Sequence, residues 1–182
     1  MNYIETEIKG LLILEPQVHG DSRGYFVETY KKADFEAHIG QVNFIQDNES
    51  KSSFGVLRGL HIQTGDTSQA KLVRVTSGCV IDVALDLRKD SPTFGQYKMV
   101  ELSNENKRQF FIPRGFAHGF IVMSDEAVFN YKVDNPYSPT TEITINCMDK
   151  DLNIHWPLET SQILLSEKDK KGHPFHEIKS LL

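Results

Sequence analysis

Two histidines, His61 and His118, stand in sequence contexts that suit acid–base chemistry. His61 follows the apolar run Val56–Leu60, whose single charged residue is Arg58. A neutral imidazole that is hydrogen-bonded to a carboxylate is a natural general base near neutral pH. His118 ends the run PRGFAH (113–118), where the proline and glycine predict a turn before a strand. A lone histidine on a strand is more often a structural residue, so the surrounding motifs must decide its role.

The spacing around both histidines resembles the two signatures of the cupin jelly rolls but does not supply their metal ligands. PRGFAH has the P-x-G-x-x-H form of the second signature. The first signature would place an H-x-H pair where this chain has His61-Ile62-Gln63. A transition-metal site of that type requires several imidazoles and a carboxylate. The sequence therefore predicts neither a metal site nor any other cofactor.

The elements that must position these residues are predicted to be short strands separated by turns. In CVIDVALDL (79–87), alternate apolar residues share one face, and Val80 and Ala84 lie on the other, as in an inner strand of a sandwich or barrel. Val42–Gln46 is a further candidate strand. Helical patterns are weak and limited to Lys32–His38 and Ser161–Lys170. Many short strands with closely spaced turns predict an all-β fold: a β-sandwich, jelly roll or barrel.

Composition restricts the class of partner. The 182 residues, 39% of them hydrophobic and 25% charged, predict one globular domain over 1–182. The net charge of −5 disfavours nucleic acid as a partner, although an anionic small molecule needs only a few local cations. No signal peptide or membrane-spanning run is evident, and the two cysteines do not form a disulfide framework. We expect a cytoplasmic protein that does not bind membranes.

Nine motifs, in sequence order over nearly the whole chain, resemble the dTDP-4-dehydrorhamnose 3,5-epimerase family. They are Asp21–Phe26, Gln46–Ser50, Gly55–His61, Lys71–Val75, Asp86–Arg88, Ser91–Gly95, Ile112–Phe120, Asn130–Lys132 and Leu165–Asp169. The resemblance implies a cupin-type jelly roll that uses no metal. It also implies a dTDP-linked 4-keto-6-deoxyhexose as substrate, inverted at carbon 3 and carbon 5 through an enolate.

The same resemblance implies four catalytic residues. His61 is the implied base and Asp169 the carboxylate that orients it, by the logic of a serine-protease triad. Tyr131 is the implied acid on the opposite face of the sugar. Lys71 is the implied cation beside the enolate oxygen.

The remaining implied contacts bind the nucleotide and the sugar. Arg23 and Arg58 suit the diphosphate because guanidinium forks match phosphate oxygens. The other implied contacts are Gln46, Asn48 and Lys168 as donors, Phe26 and Tyr137 as stacking partners for thymine, Glu28, Asp47 and Glu142 as polar contacts, and His118 at the sugar. The resemblance further implies a homodimer in which an N-terminal strand carrying Arg23, Phe26 and Glu28 is exchanged between subunits.

Alternatives remain at this point. Ile62 and the stretch 143–149 depart from the family's usual pattern, the first beside the sugar and the second near the nucleotide base. The motifs also fit an epimerase specific for carbon 3 or carbon 5, or a 3,4-ketoisomerase on the same scaffold. A non-enzymatic cupin is a third reading, and the intact set of implied catalytic residues argues against it.

Overall fold

The computed structural model describes all residues, 1–182, which form two packed antiparallel sheets and a separate hairpin. The strands are β1 (Asn2–Glu5), β2 (Leu12–Glu15), β3 (Val18–Asp21), β4 (Gly24–Val27), β5 (Gln46–Ser53), β6 (Leu57–Gln63), β7 (Lys71–Ser77), β8 (Cys79–Asp86), β9 (Tyr97–Ser103), β10 (Gln109–Ile112), β11 (Phe116–Val122), β12 (Glu126–Val133) and β13 (Glu142–Thr144). The larger sheet has the order β1-β2-β10-β7-β12-β5, and the smaller has the order β13-β6-β11-β8-β9. This two-sheet β architecture confirms the predicted all-β, jelly-roll class.

The main core lies between the two sheets. Both sheets contribute to one cluster of buried side chains, in which Phe110 and Phe129 come from the larger sheet and Val80 and Phe120 from the smaller. The rings of Phe120 and Phe129 stack at 4.1 Å between centroids. Alternation along each strand therefore fixes which residues face the partner sheet.

The outer faces of both sheets are covered by the rest of the chain. On the smaller sheet, Val83 and Leu85 of β8 pack with residues 145–178 of the C-terminal segment. On the larger sheet, Phe35 of helix α1 (Lys32–Ile39) packs against Phe111 and Phe44. Because β8 is buried on both faces, the inner-strand prediction for CVIDVALDL is confirmed.

Two local predictions are wrong. Val42–Gln46 is not a strand, because Val42 and Phe44 cover the outer face of the larger sheet beside Phe35. Ser161–Lys170 is not an α-helix and contains only two 3₁₀ turns, Thr160–Gln162 and the start of Asp169–Lys171. The α-helices are α1, as predicted, and α2 (Phe175–Leu181) near the C-terminus.

A close approach of β6 and β11 brings the two histidines side by side. His61 and His118 are register partners, and the register shifts between His118 and Phe120. A Cβ atom on Gly59 would lie 2.7 Å from the Gly119 Cα and from the His118 carbonyl oxygen, and Gly59 has φ +119°. Glycine is therefore required at this contact.

No helix of the structure is long and apolar enough to span a membrane.

Candidate active site

Eleven of the fifteen predicted site residues line one pocket of about 780 Å³ between the two sheets. They are Gln46, Asn48, Arg58, His61, Lys71, His118, Tyr131, Tyr137, Glu142, Lys168 and Asp169. They come from β5, β6, β7, β11, β12, β13 and two loops, so only the folded jelly roll assembles them. A second cavity of about 850 Å³, beside β1 and α1, contains none of them.

His61 and Asp169 form a histidine–carboxylate pair at one wall of the pocket. Asp169 Oδ1 accepts a hydrogen bond from His61 Nε2 at 2.6 Å, which leaves Nδ1 as the basic nitrogen. Asp169 Oδ2 accepts from the Ser166 hydroxyl at 2.7 Å, so both carboxylate oxygens are paired. Burial opposes ionisation of Asp169, but the bonds from His61 and Ser166 outweigh it and hold its pKa below the usual value. An ionised Asp169 can stabilise an imidazolium at His61.

A second histidine–carboxylate pair lies deeper in the pocket and includes a residue that the sequence reasoning missed. His118 Nε2 donates to Asp82 Oδ2 at 2.9 Å, and Asp82 is fully buried on β8. Asp82 Oδ1 has no hydrogen-bond partner. Burial lowers the pKa of His118 and raises that of Asp82. An acidic residue inside the apolar run CVIDVALDL was the available signal.

Lys71 begins β7 and lines the same pocket. Burial lowers its pKa to about 8, although the carboxylates of Asp82 and Glu142 act in the opposite direction. A partly desolvated ammonium group of this kind stabilises a nearby oxyanion more strongly than an exposed lysine does.

Tyr131 lies on β12 and shares the inward face with Phe129. Burial raises the pKa of the Tyr131 phenol, and Glu142 adds to the shift while Arg58 opposes it. The phenol is therefore protonated near neutral pH and can serve as a proton donor.

The mouth of the pocket is lined by polar groups and one aromatic ring. Glu142 Oε2 accepts hydrogen bonds from the Lys168 ammonium and, at 2.9 Å, from the Tyr137 hydroxyl. These bonds outweigh the effect of burial and lower the pKa of Glu142. Tyr137 is 56% exposed, which leaves its ring available to a ligand.

A polar wall lies on β5 and β6. Gln46 donates to Asn48 at 2.8 Å, and Arg58 Nε donates to the Ser52 hydroxyl at 2.9 Å. That bond leaves the terminal guanidinium nitrogens of Arg58 available for an anionic ligand.

Four predicted residues lie outside this pocket. Arg23 and Phe26 belong to the exposed β3–β4 hairpin, where Arg23 pairs with Asp21 at 2.6 Å, and Glu28 follows it. Asp47 lies between the pocket-lining Gln46 and Asn48 on β5 and pairs with Lys132 at 2.8 Å. Adjacent strand residues face opposite sides, so Asp47 faces away from this pocket, and its implied contact with the ligand stays a prediction.

Side chains that could hold a metal ion do not gather in this site. No group of three or more histidine, cysteine, aspartate or glutamate side chains has the required arrangement anywhere in the chain. Gln63, in place of the second cupin histidine, uses its amide in hydrogen bonds to backbone groups.

Fold and site together define a class: a cupin-type jelly roll whose pocket holds a histidine–carboxylate pair, a protonated phenol and a desolvated lysine. Comparison with known proteins specifies it further. A model of the dTDP-4-dehydrorhamnose 3,5-epimerase family matches residues 5–177. The chain therefore belongs to the dTDP-4-dehydrorhamnose 3,5-epimerase family, whose named members are carbohydrate isomerases. The resemblance drawn from the nine motifs is confirmed.

Individual relatives agree with this assignment. A dTDP-4-dehydrorhamnose 3,5-epimerase of Shigella flexneri is 54% identical over 176 residues, covering 96% of each chain. The structure of a dTDP-6-deoxy-D-glucose-3,5-epimerase of Legionella pneumophila Philadelphia 1, in complex with dTDP-4-keto-L-rhamnose, is 49% identical. It has a TM-score of 0.95 and covers 100% of this chain and 96% of that one. A 3'-monoepimerase of Streptomyces bikiniensis, in complex with dTDP-quinovose, is 30% identical with a TM-score of 0.91, covering 98% and 90%.

Proposed function

We propose that this chain converts dTDP-4-dehydro-6-deoxyglucose to dTDP-4-dehydro-L-rhamnose, inverting carbon 3 and carbon 5, as a step of dTDP-L-rhamnose biosynthesis. The observation that carries the proposal is the 2.6 Å His61–Asp169 pair in one pocket with Tyr131 and Lys71. Relatives that are about 50% identical to this chain are named as 3,5-epimerases, whereas the 3'-monoepimerase is 30% identical. This difference supports inversion of both carbons over inversion of one.

The reaction begins with removal of a proton next to the ketone. His61 Nδ1 takes the proton from the sugar carbon, and the C–H electron pair moves into the new C=C bond while the carbonyl oxygen becomes an enolate oxygen. Asp169 accepts from Nε2–H throughout, so it holds the ring in place and stabilises the imidazolium that forms.

The enolate oxygen requires a positive charge in a site of low dielectric. Lys71 supplies that charge, and loss of a comparable oxyanion partner costs about 3 kcal/mol in other enzymes. Asp82, buried beside His118, provides a negative charge that helps Lys71 to stay protonated. His118 contacts the sugar end of the substrate.

Inversion requires that the new proton arrive on the opposite face. In the proposal, the Tyr131 phenol gives its proton to the enolate carbon, and the resulting phenolate is reloaded from solvent. His61 returns its proton to solvent, and the same base, cation and acid then act on the second carbon, because both carbons flank the same ketone.

The nucleotide is held near the mouth of the pocket. Arg58 and Lys168 contact the diphosphate, Gln46 and Asn48 act as neutral donors, and Tyr137 stacks on thymine. Arg23, Phe26 and Glu28 reach this site from a second subunit through the exchanged β3–β4 hairpin, so the working unit is a homodimer. Each chain contributes one catalytic domain, 1–182, and the enzyme works in the cytoplasm.

Product analysis tests the proposal most directly. NMR of the product made from dTDP-4-keto-6-deoxyglucose in D₂O should show deuterium and inverted configuration at both carbon 3 and carbon 5. Inversion at one carbon would identify a monoepimerase, and migration of the ketone would identify a 3,4-ketoisomerase. A protein that binds dTDP-sugars without any exchange would be a non-enzymatic cupin. Each of these three results would overturn the proposal.

Chelation tests the predicted independence from metal. The proposed steps use only His61, Tyr131, Lys71 and Asp169, so the rate should survive exhaustive treatment with EDTA. Loss of turnover that one transition metal restores would contradict the assignment.

A further inference from the structure

Gln63 is buried at the end of β6, and its side-chain amide is fully hydrogen-bonded. Nε2 donates to the backbone oxygens of Thr67, at 2.7 Å, and Pro136, at 3.1 Å. Oε1 accepts from the backbone N–H of Ser138 at 2.9 Å. Both amide hydrogens and the carbonyl oxygen are thus directed at two loops, the one that joins β6 to β7 and the one that joins β12 to β13.

The second of these loops carries Tyr137, which lies between the two residues that Gln63 holds, Pro136 and Ser138. The Tyr137 ring itself is exposed, so packing alone does not fix its position. Glu142, the cross-strand partner of Gln63, accepts a hydrogen bond from the Tyr137 hydroxyl. Tyr137 is therefore restrained at its backbone by Gln63 and at its hydroxyl by Glu142.

We propose that Gln63 is a positioning residue that fixes the backbone at 136–138 and so holds the Tyr137 ring ready for the nucleotide base. This inference rests on the proposed role of Tyr137 in stacking on thymine. A ring that is already in place loses less conformational freedom on binding, and such pre-organisation raises affinity. The amide that replaces the second cupin histidine thus acts as a clamp for nucleotide binding: Gln63 lines the pocket, but its amide groups are bonded to the two loops.

Removing the clamp should weaken nucleotide binding without impairing proton transfer. Gln63→Met keeps the length of the side chain and removes all three hydrogen bonds. We expect the Kd of dTDP, measured by calorimetry, and the KM of the dTDP-sugar to rise about tenfold together, while kcat stays within about twofold. Gln63→Glu keeps the bond from Ser138 and loses the two donated bonds, so it should shift Kd in the same direction if Gln63→Met does not fold.

Asn106→Ala is the matched control for loss of a loop-holding amide. Asn106 Oδ1 accepts from the backbone N–H groups of Ser103 and Arg108, at 3.1 and 2.9 Å, in the turn between β9 and β10. This variant should lower the Tm and leave the Kd of dTDP unchanged. An equal rise of Kd in Asn106→Ala would mean that general destabilisation, and not the clamp, explains the effect.

A double-mutant cycle with Tyr137→Ala separates the clamp from the role of the ring. Base–aromatic stacking predicts that Tyr137→Ala alone raises the Kd of dTDP about tenfold. If Gln63 acts through Tyr137, adding Gln63→Met to Tyr137→Ala should change Kd by less than about twofold. Additive effects, or a fall in kcat with unchanged KM, would overturn the clamp. An unchanged Kd in Tyr137→Ala would instead overturn the stacking assignment in the proposed function.

Discussion

At the scale of single residues, two histidine–carboxylate pairs lie on neighbouring strands but differ in what their environment allows. The His61 side chain is 26% exposed, and both oxygens of its carboxylate are paired. The His118 side chain is 8% exposed, and one oxygen of Asp82 has no partner. His61 can therefore exchange a proton with a ligand in the pocket, whereas His118 is more shielded and is held by its hydrogen bond to Asp82.

Isotope exchange distinguishes the proposed base from the proposed acid. His61→Asn retains hydrogen bonding but cannot accept a proton at neutral pH, so deuterium from D₂O should enter neither carbon. The rate should fall by about 10²- to 10⁴-fold, as is usual for a lost general base. Tyr131→Phe retains the ring packing, and His61 should still exchange deuterium into the sugar while full inversion, particularly at carbon 5, is lost.

Lys71→Ala provides the comparison for these two variants. It should slow exchange and inversion together, because formation of the enolate itself is impaired. Exchange that persists in His61→Asn but disappears in Tyr131→Phe would reverse the assignment of base and acid. Normal turnover in both variants would remove the basis for the epimerase mechanism.

The pKa of Lys71 predicts an alkaline limit for activity. Burial lowers this pKa to about 8, and only the protonated ammonium stabilises the enolate. The stabilisation is thus present below pH 8 and is lost as the pH rises through that value, so kcat/KM should fall there. Lys71→Arg should move the decline to higher pH, because a guanidinium stays protonated. A profile that is flat to pH 10 would contradict the role of Lys71.

At the scale of elements, the placement of both histidines depends on the close pairing of β6 with β11. Gly59→Ala would put a methyl group 2.7 Å from β11 backbone atoms, in addition to the strain of a positive φ. We expect a loss of about 3 kcal/mol or more in unfolding free energy, with a fall in kcat as the histidines separate. Chemical denaturation and steady-state kinetics measure both effects.

Gly40→Ala is the control for Gly59→Ala. Gly40 follows α1 with φ +102°, and a Cβ there would meet nothing within 4 Å. It carries the backbone strain without the overlap, so it should cost about 1–3 kcal/mol and leave kcat unchanged. Equal losses of stability and kcat in both variants would show that the contact with β11 is unimportant.

The sequence predicts a strand well where apolar residues alternate along it. It predicts an element poorly where contacts with distant parts of the chain determine the local structure. β8 follows directly from CVIDVALDL because it is buried on both faces. β5 (QDNESKSS) was missed because it is an edge strand with mostly polar side chains, some of which line the pocket. The helix expected over Ser161–Lys170 is absent, since its residues pair with β6, through Leu164, and place Asp169 beside His61.

The sequence likewise predicts some residues of the site and misses others. The resemblance to a known family indicated eleven residues that the fold brings into one pocket, including Asp169, which is 108 residues from His61. Asp82 was not predicted, because its partner, His118, lies on β11, and the sequence does not show that β11 pairs with β8.

At the scale of the whole molecule, several positive side chains are concentrated in one pocket of a chain whose net charge is negative. The chain carries a net charge of −5, yet Arg58, Lys71 and Lys168 line a single pocket.

Away from that pocket, the β3–β4 hairpin exposes Val18, Tyr25 and Phe26, which are 44%, 60% and 68% accessible to solvent. Val18 and Tyr25 lie on one face of the hairpin and Phe26 on the other. Large apolar side chains exposed on both faces are typical of an element that is covered by a partner. These exposures support the proposed exchange of the hairpin between two subunits.

Complementation between subunits tests this exchange. If the hairpin of one subunit completes the site of the other, Arg23→Ala and His61→Ala damage different parts of each shared site. A heterodimer of the two variants then contains one site with both residues intact, so mixing should restore up to about half of the wild-type activity per dimer. Arg23→Ala alone should raise the Kd of dTDP, because one guanidinium contact to the diphosphate is lost. Sedimentation establishes the dimer, and differently tagged chains allow the heterodimer to be purified. A pure heterodimer without activity above that of the parents would mean that each site is built from one chain.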